Sequence, residues 1–254
     1  MLRDVRGAVY VEFLLVFMPV FMLFLAVVEL GFMYGARLVV QHAATRAARA
    51  AVVILDDDPE RYDDEPRGQL DLNGSAGGES PIAAFMSGAG LGSGAADAGG
   101  GPRFRDIRSA AVIPLLAIAP SARQLELDAA AGSIGSEIGD PADRAAAGAQ
   151  HYNQAALAVT FPTAPRASSF RTSFGKEDLV TVRVTYLFHC AVPLVSQIMC
   201  DSREGTIGRL EAEERAQMDF GHLSTLANPR FQVLRAEATL RNQGAAYLYP
   251  SEAP

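Results

Sequence analysis

The sequence predicts an α+β fold: a long N-terminal transmembrane helix followed by a small antiparallel sheet domain with long loops. Three observations predict it. A dense apolar block fills the first 55 residues. Apolar and polar residues alternate from Leu179 to Val192 and again, less cleanly, from Phe231 to Leu240. A stretch rich in Gly, Asp and Ala separates the two regions. The 254 residues divide accordingly into a basic leader (1–7), a transmembrane and stalk helix (8–55), a Gly/Asp-rich flexible loop (56–105) and an exported α+β domain (106–254).

The apolar run proper extends from Ala8 to Val28 and is broken only by Glu12. At ~1.5 Å per residue it covers roughly 32 Å, close to the ~30 Å hydrocarbon core of a bilayer. Arg3 and Arg6 precede it, so the N-terminus stays in the cytoplasm and the remainder is exported. Three kinds of signal share this outline. A cleaved secretory signal has a shorter apolar core, roughly 7–15 residues, and a small-residue exit; Glu29-Leu30-Gly31-Phe32 is a poor exit. A plain signal anchor fits the length but has no use for Glu12, since a carboxylate costs ~2.5–3.5 kcal/mol at the centre of a spanning helix and less near an end. A signal cut before the helix, after Gly7, gives Glu12 a role. Ala8 then carries a new ammonium group, and the Glu12 carboxylate becomes the fifth residue, placed to pair with the amine of a neighbouring subunit in a filament.

Gly7-Ala8-Val9-Tyr10-Val11-Glu12-Phe13 is similar to a type IV prepilin processing site: Gly, then Glu at the fifth mature position, then an aromatic. The longer series resembles the TadE family. It comprises Gly7-Ala8, Glu12-Phe13, Pro19, Glu29-x-Gly31, Tyr34-x-Ala36-Arg37, Gln41-x-Ala43-Ala44 and Arg46-x-Ala48-Arg49. The resemblance covers roughly residues 6–53, with weaker similarity near 178–193 and 230–243. It implies a pilin-like fold, a processing site at Gly7 and Ala8 for a dedicated prepilin peptidase, and subunit contact within the membrane through Glu12 and Phe13. It implies a minor pilin or pseudopilin taking part in assembly of Flp-type pili, the tight-adherence system. The partners implied are the bacterial inner membrane, the peptidase, other pilin or pseudopilin subunits and the pilus assembly platform, with the C-terminal domain periplasmic or extracellular. The leader departs from the pattern in carrying Asp4 and no lysine. An alternative is a signal-anchored periplasmic scaffolding or binding module that never enters a filament. The long Gly/Asp-rich insertion, awkward in a tightly packed fibre, favours that alternative.

Beyond the membrane the helix should continue. Residues 35–55 are mostly helix formers, and positions 36, 40, 43, 47, 50 and 54 share one face. Arg37, Arg46 and Arg49 lie off it. Pro19 predicts a bend near residues 15–19. Asp56-Asp57-Asp58-Pro59 ends the pattern. The acidic run that follows lacks the spacing of a calcium loop and reads as solvated loop. Gly88-Ala89-Gly90-Leu91-Gly92 has no strand before it and no helix after it, and reads as linker. Residues 107–119 are apolar but ambiguous between strand and helix. Asp140-Pro141 resembles a helix start and predicts a helix over 141–158. Residues 204–220 read as helix or exposed connection. Val180, Val182, Val184, Tyr186 and Phe188 share one strand face.

The net charge of −7 gives no electrostatic support to nucleic-acid binding. The two cysteines, Cys190 and Cys200, are too few for a zinc site of paired Cys-x-x-Cys type, and in an exported domain they predict a disulfide. His189 adjoins Cys190, but neighbouring strand residues point to opposite faces, so the pair is no nucleophile and base. His42, His151 and His222 are scattered, and none of the common hydrolase, metalloprotease or nucleotide-loop motifs occurs. The expectation is a protein that is not an enzyme, with no metal and no cofactor.

Overall fold

The computed structural model describes residues 6–72, 99–120, 149, 152–192, 194–223 and 230–244, without the side chains of 6–9 and 222. Most of the leader, the Gly88–Gly92 stretch, the expected helix start at Asp140-Pro141 and His151 lie outside the described residues. Helix α1 (Arg6–Ile54) runs for 49 residues and continues through Pro19. At ~1.5 Å per residue that is about 74 Å of rod. Its two halves live in different surroundings. From Tyr10 to Phe21 every side chain is exposed, although nearly all are large and apolar. From Ala36 onward one flank is buried through Val40, Ala43, Ala44, Ala47, Ala48, Ala51 and Ile54.

That buried flank is wider than the single stripe expected from the sequence. Ala44, Ala48 and Ala51 join it because two layers cover the helix: a sheet on one side and helix α2 (Pro102–Leu115) on the other. Alanine at these positions keeps both layers close to the rod. Arg37, Arg46 and Arg49 stay in the solvent. The ambiguous segment 107–119 is thus mostly helical, and Gly101-Pro102 starts it: Pro102 sits in the first turn, where the missing N–H costs nothing.

The sheet has four antiparallel strands in the order β1-β2-β4-β3. They are β1 (Leu157–Thr160), β2 (Leu179–His189), β3 (Asp201–Ser202) and β4 (Arg230–Arg241). The long pair is β2 with β4, in register from Leu179 opposite Arg241 to His189 opposite Phe231. Val180, Val182, Val184 and Tyr186 share a face with Leu240, Ala238, Ala236 and Leu234. The predicted helix over 141–158 is corrected at its end: among the described residues 149 and 152–156 are helical, and Leu157 opens β1 because its backbone pairs with Tyr186 of β2. Edge strand β1 is finished by a side chain. Gln217 Nε2 donates to Val159 O at 2.9 Å, and Val159 N donates to Gln217 Oε1 at 2.8 Å, so one amide replaces the missing strand.

Residues 204–220 form the short helices α4 (Arg203–Arg209) and α5 (Ala212–Ala216), after α3 (Ser196–Met199) and before α6 (Phe220–Leu223). They cover the second face of the sheet, which alternation alone assigns to solvent. There Arg183 Nε donates to Glu237 Oε1 at 2.7 Å, directly across the strand pair. Glu214, fully buried, accepts from Thr185 Oγ1 at 2.5 Å and from Arg235 Nη2 at 2.7 Å and Nε at 3.0 Å. Burial pushes the Glu214 pKa up, but hydrogen bonds from Arg235, Thr185 and the Glu211 N–H outweigh it, and the net shift is below the ordinary 4.5. A depressed folded-state pKa means the unfolded chain binds the proton more readily. The contribution is therefore complete above pH 4.5 and is lost as pH falls through the lower folded value. Glu214→Gln should flatten the loss of stability with falling pH below about 4.5 in urea titrations, and an unchanged acid slope would refute this role for Glu214.

The segment expected as solvated loop is corrected at both of its described ends. Asp56, Asp57 and Asp58 are buried. Asp57 Oδ1 accepts from Asp58 N at 2.9 Å, and its Oδ2 accepts from Tyr62 Oη at 3.3 Å. Asp58 caps a short 3-10 turn, Pro59–Arg61. Gly68 N then donates to Leu55 O at 2.7 Å, closing the chain back on the end of α1. Its φ of +68° and the Phe174 carbonyl, 2.3 Å from where a Cβ would stand, admit only glycine there. Asp57 and Asp58 are turn-building groups, so the start of the charge run is packed, while Glu60, Asp63 and Asp64 further along it are exposed.

Candidate functional site

The rod places its exposed apolar half and its packed half end to end, and the transition falls at Glu29. The uncovered half carries an aromatic ladder on one flank: Phe13 stacks on Phe17 at 5.3 Å between ring centroids, and Phe17 on Phe21 at 5.6 Å. The spacing of four residues puts these rings one above another. Glu12 precedes the ladder, and its side chain is exposed in the single chain. Gly7 and Ala8 lie in the first turns of α1. Glu12 and Phe13 are therefore brought to one region of the rod, on a length that no described part of the domain covers.

The sheet lies lengthwise along the other half, and two contacts set its direction. Gln41 Nε2 donates to Glu237 O at 3.1 Å. Nearer the bare half, Val192 N donates to Glu29 Oε2 at 3.2 Å. The end of the sheet bearing His189, Phe231 and the loop 190–200 thus abuts the start of the uncovered helix. Cys190 and Cys200 are joined in a disulfide across that loop. Closing a loop of ten residues contributes about 2–3 kcal/mol through the entropy of the unfolded chain. Glu29 Oε1 lies 4.0 Å from Cys200 Sγ, which carries no proton once bridged. The three groups lie within reach of one another, but the sulfurs are committed to each other and offer no thiolate for a metal. For the same reason Cys190 supplies no nucleophile to His189, whose ring packs edge-on against Phe231 at 6.2 Å. His42 stands exposed on the stalk.

Glu29 is the site residue that the sequence reading left without a role. It entered only as part of a motif series. The signal that could have found it is a lone carboxylate directly after the apolar run, at the height where a domain must meet the helix.

The fold and these contacts are consistent with single-pass membrane anchoring: among the described residues one helix, at the N-terminus, has an apolar window long enough to cross a bilayer, none of it buried, and an α+β domain is seated on the remainder. The family model described as TadE-like protein matches residues 7–49 of this helix. The N-terminal helix thus carries the TadE-like signature that its residues resemble, and the match associates the chain with Tad/Flp pilus systems and a membrane. It ends within α1, so the weaker similarity near 178–193 and 230–243 lies beyond it. No curated protein and no solved structure matches the chain.

Proposed function

We propose that this protein is a minor pilin or pseudopilin of a tight-adherence, Flp-type pilus system. It is stored in the bacterial inner membrane by the first half of α1, with its N-terminus cytoplasmic and its α+β domain on the far side. A prepilin peptidase cuts between Gly7 and Ala8. The subunit then leaves the bilayer as its bare helix packs among the helices of neighbouring subunits, on the assembly platform. The observation that carries this reading is the division of α1. Most apolar side chains from Tyr10 to Val27 are exposed and none is buried by the described part of the domain, within the residues that match the TadE-like family. Such a surface needs either lipid or other helices around it, and a pilin exchanges one for the other.

The processing step is directly testable. In cells with an active prepilin peptidase, mass spectrometry of the membrane-purified protein should find a mature chain beginning at Ala8. In cells lacking the peptidase it should find the leader still attached. A leader retained in both strains would end this reading and leave a plain signal anchor.

A further inference from the structure

We propose that the disulfide-closed loop 190–200 is a second membrane contact, resting in the headgroup–acyl boundary of the leaflet on the domain side. The inference depends on the membrane-anchor reading of α1 and goes beyond it. The loop sits where the bilayer should end. With Ala8 to Val28 filling the hydrocarbon core, Glu29 falls at the boundary, and Val192 of the loop bonds to Glu29. The same loop exposes two large apolar side chains: Ile198 is 75% exposed and Leu194 49%, four residues apart. On the helix just past Glu29, Leu30, Phe32 and Tyr34 are exposed as well. Tyr34 is of the kind that gathers at membrane interfaces.

The loop is built to hold that position. The Cys190–Cys200 bridge closes it, α3 stiffens it, and Arg230 Nη1 donates to Gln197 O at 3.3 Å and to Cys200 O at 3.4 Å. Its nearby charges are mixed, Asp201 and Glu204 against Arg203, Arg209 and Arg230, with Arg209 paired to Asp201, so the contact is chiefly apolar and should survive high salt. The contact also accounts for Glu29. With the loop seated over it, the carboxylate is fully buried and hydrogen-bonded to backbone, instead of standing bare where the helix leaves the lipid. Two attachment points, the helix and the loop, would hold the domain at one tilt against the bilayer.

The test uses the full chain reconstituted in phosphatidylcholine vesicles. The protein has no tryptophan, so Ile198→Trp and, separately, Leu194→Trp each give a single fluorophore. Leu179→Trp, exposed at the opposite end of β2, is the control. Replacing the lipid by brominated phosphatidylcholine should lower emission about two-fold at 198 and 194 and leave 179 unchanged, as expected for side chains at the acyl boundary. Aqueous iodide should show the reverse order. Tryptophan at both 198 and 194 open to iodide and untouched by brominated lipid, in protein that stays with the vesicles through an alkaline wash, would overturn the loop contact and leave the anchor standing. Protein released by that wash would overturn the anchor itself. Shielding from iodide without quenching by lipid would mean that another protein surface covers the loop, and would equally overturn the proposal.

Discussion

Replacing Glu12 with alanine should leave the protein in the membrane and remove it from pili. The two halves of this result have separate causes. In the lipid-stored state Glu12 is exposed on the bare stretch of α1, with no described part of the domain near it. A carboxylate within an apolar segment costs ~2.5–3.5 kcal/mol at the bilayer centre and less toward an end, so its removal favours insertion. In a filament the surroundings are other helices. A carboxylate there is tolerable only with a partner, and the amine of a processed Ala8 is the complementary group. Removing one member of a buried charge pair costs about 3–5 kcal/mol, because the other is left unpaired in low dielectric. That is a loss of more than about a hundredfold in incorporation at equilibrium. Immunoblots of sheared pili against washed membranes measure both halves together. Phe13, proposed for the same contact, begins the ladder with Phe17 and Phe21. Normal incorporation of the alanine variant would deny Glu12 its role, whereas absence of the parent protein itself from sheared pili would favour the scaffolding alternative, in which the chain never enters a fibre.

The elements that the sequence disclosed are those whose signal is local and repetitive. Helix α1 was legible from an apolar run broken only by Glu12 and followed by a stripe of alanine and valine at helical spacing. Strands β2 and β4 were legible because valine and its neighbours alternate over enough residues to exclude a helix. The two cysteines, in a domain read as exported, predicted their bridge. What was not legible depends on residues far apart. The polar face of β2, with Thr181, Arg183 and Thr185, carries no local signal of burial. Arg183 and Thr185 are held there by Glu211, Glu214 and Glu237, brought in from later segments. The helix that Asp140-Pro141 predicts runs to residue 158, yet pairing with β2 takes over from Leu157. The collar at Glu29 joins groups 163 residues apart. No period or motif encodes such a meeting. Only the direction of the sheet along α1 brings Val192 to the edge of the membrane segment.

Arg103 is the other residue whose meaning is entirely tertiary, and replacing it with methionine should be the most destabilising single change in the domain. Its guanidinium is buried at the far end of α1. It donates to Ile54 O, to Asp57 O at 3.0 Å and to Glu65 O at 3.2 Å, and it lies over the Tyr62 ring at 4.5 Å. The carbonyls at the end of a helix lack intrahelical partners. Here one cation reaches across 49 residues of sequence to satisfy the carbonyl of Ile54, the last residue of α1, where a positive charge also suits the helix dipole. Glu65 performs the mirrored task. Its Oε2 accepts from Arg103 N at 3.1 Å and its Oε1 from Asp71 N at 2.8 Å, placing a negative charge at the start of α2. Burial pulls the Arg103 pKa below its ordinary value, and Glu65, Tyr62 and Asp57 act to restore it. Methionine matches the stem but strands those carbonyls, and breaking a buried charged network costs about 3–5 kcal/mol. Arg103→Lys should recover only part of this, because a single ammonium cannot reproduce the planar fork. Urea titration of the detergent-solubilised full chain, followed by far-UV circular dichroism, measures the difference. A methionine variant within about 1 kcal/mol of the parent protein, less than a typical network loss, would show that the α1–α2 junction is held by its alanine packing alone.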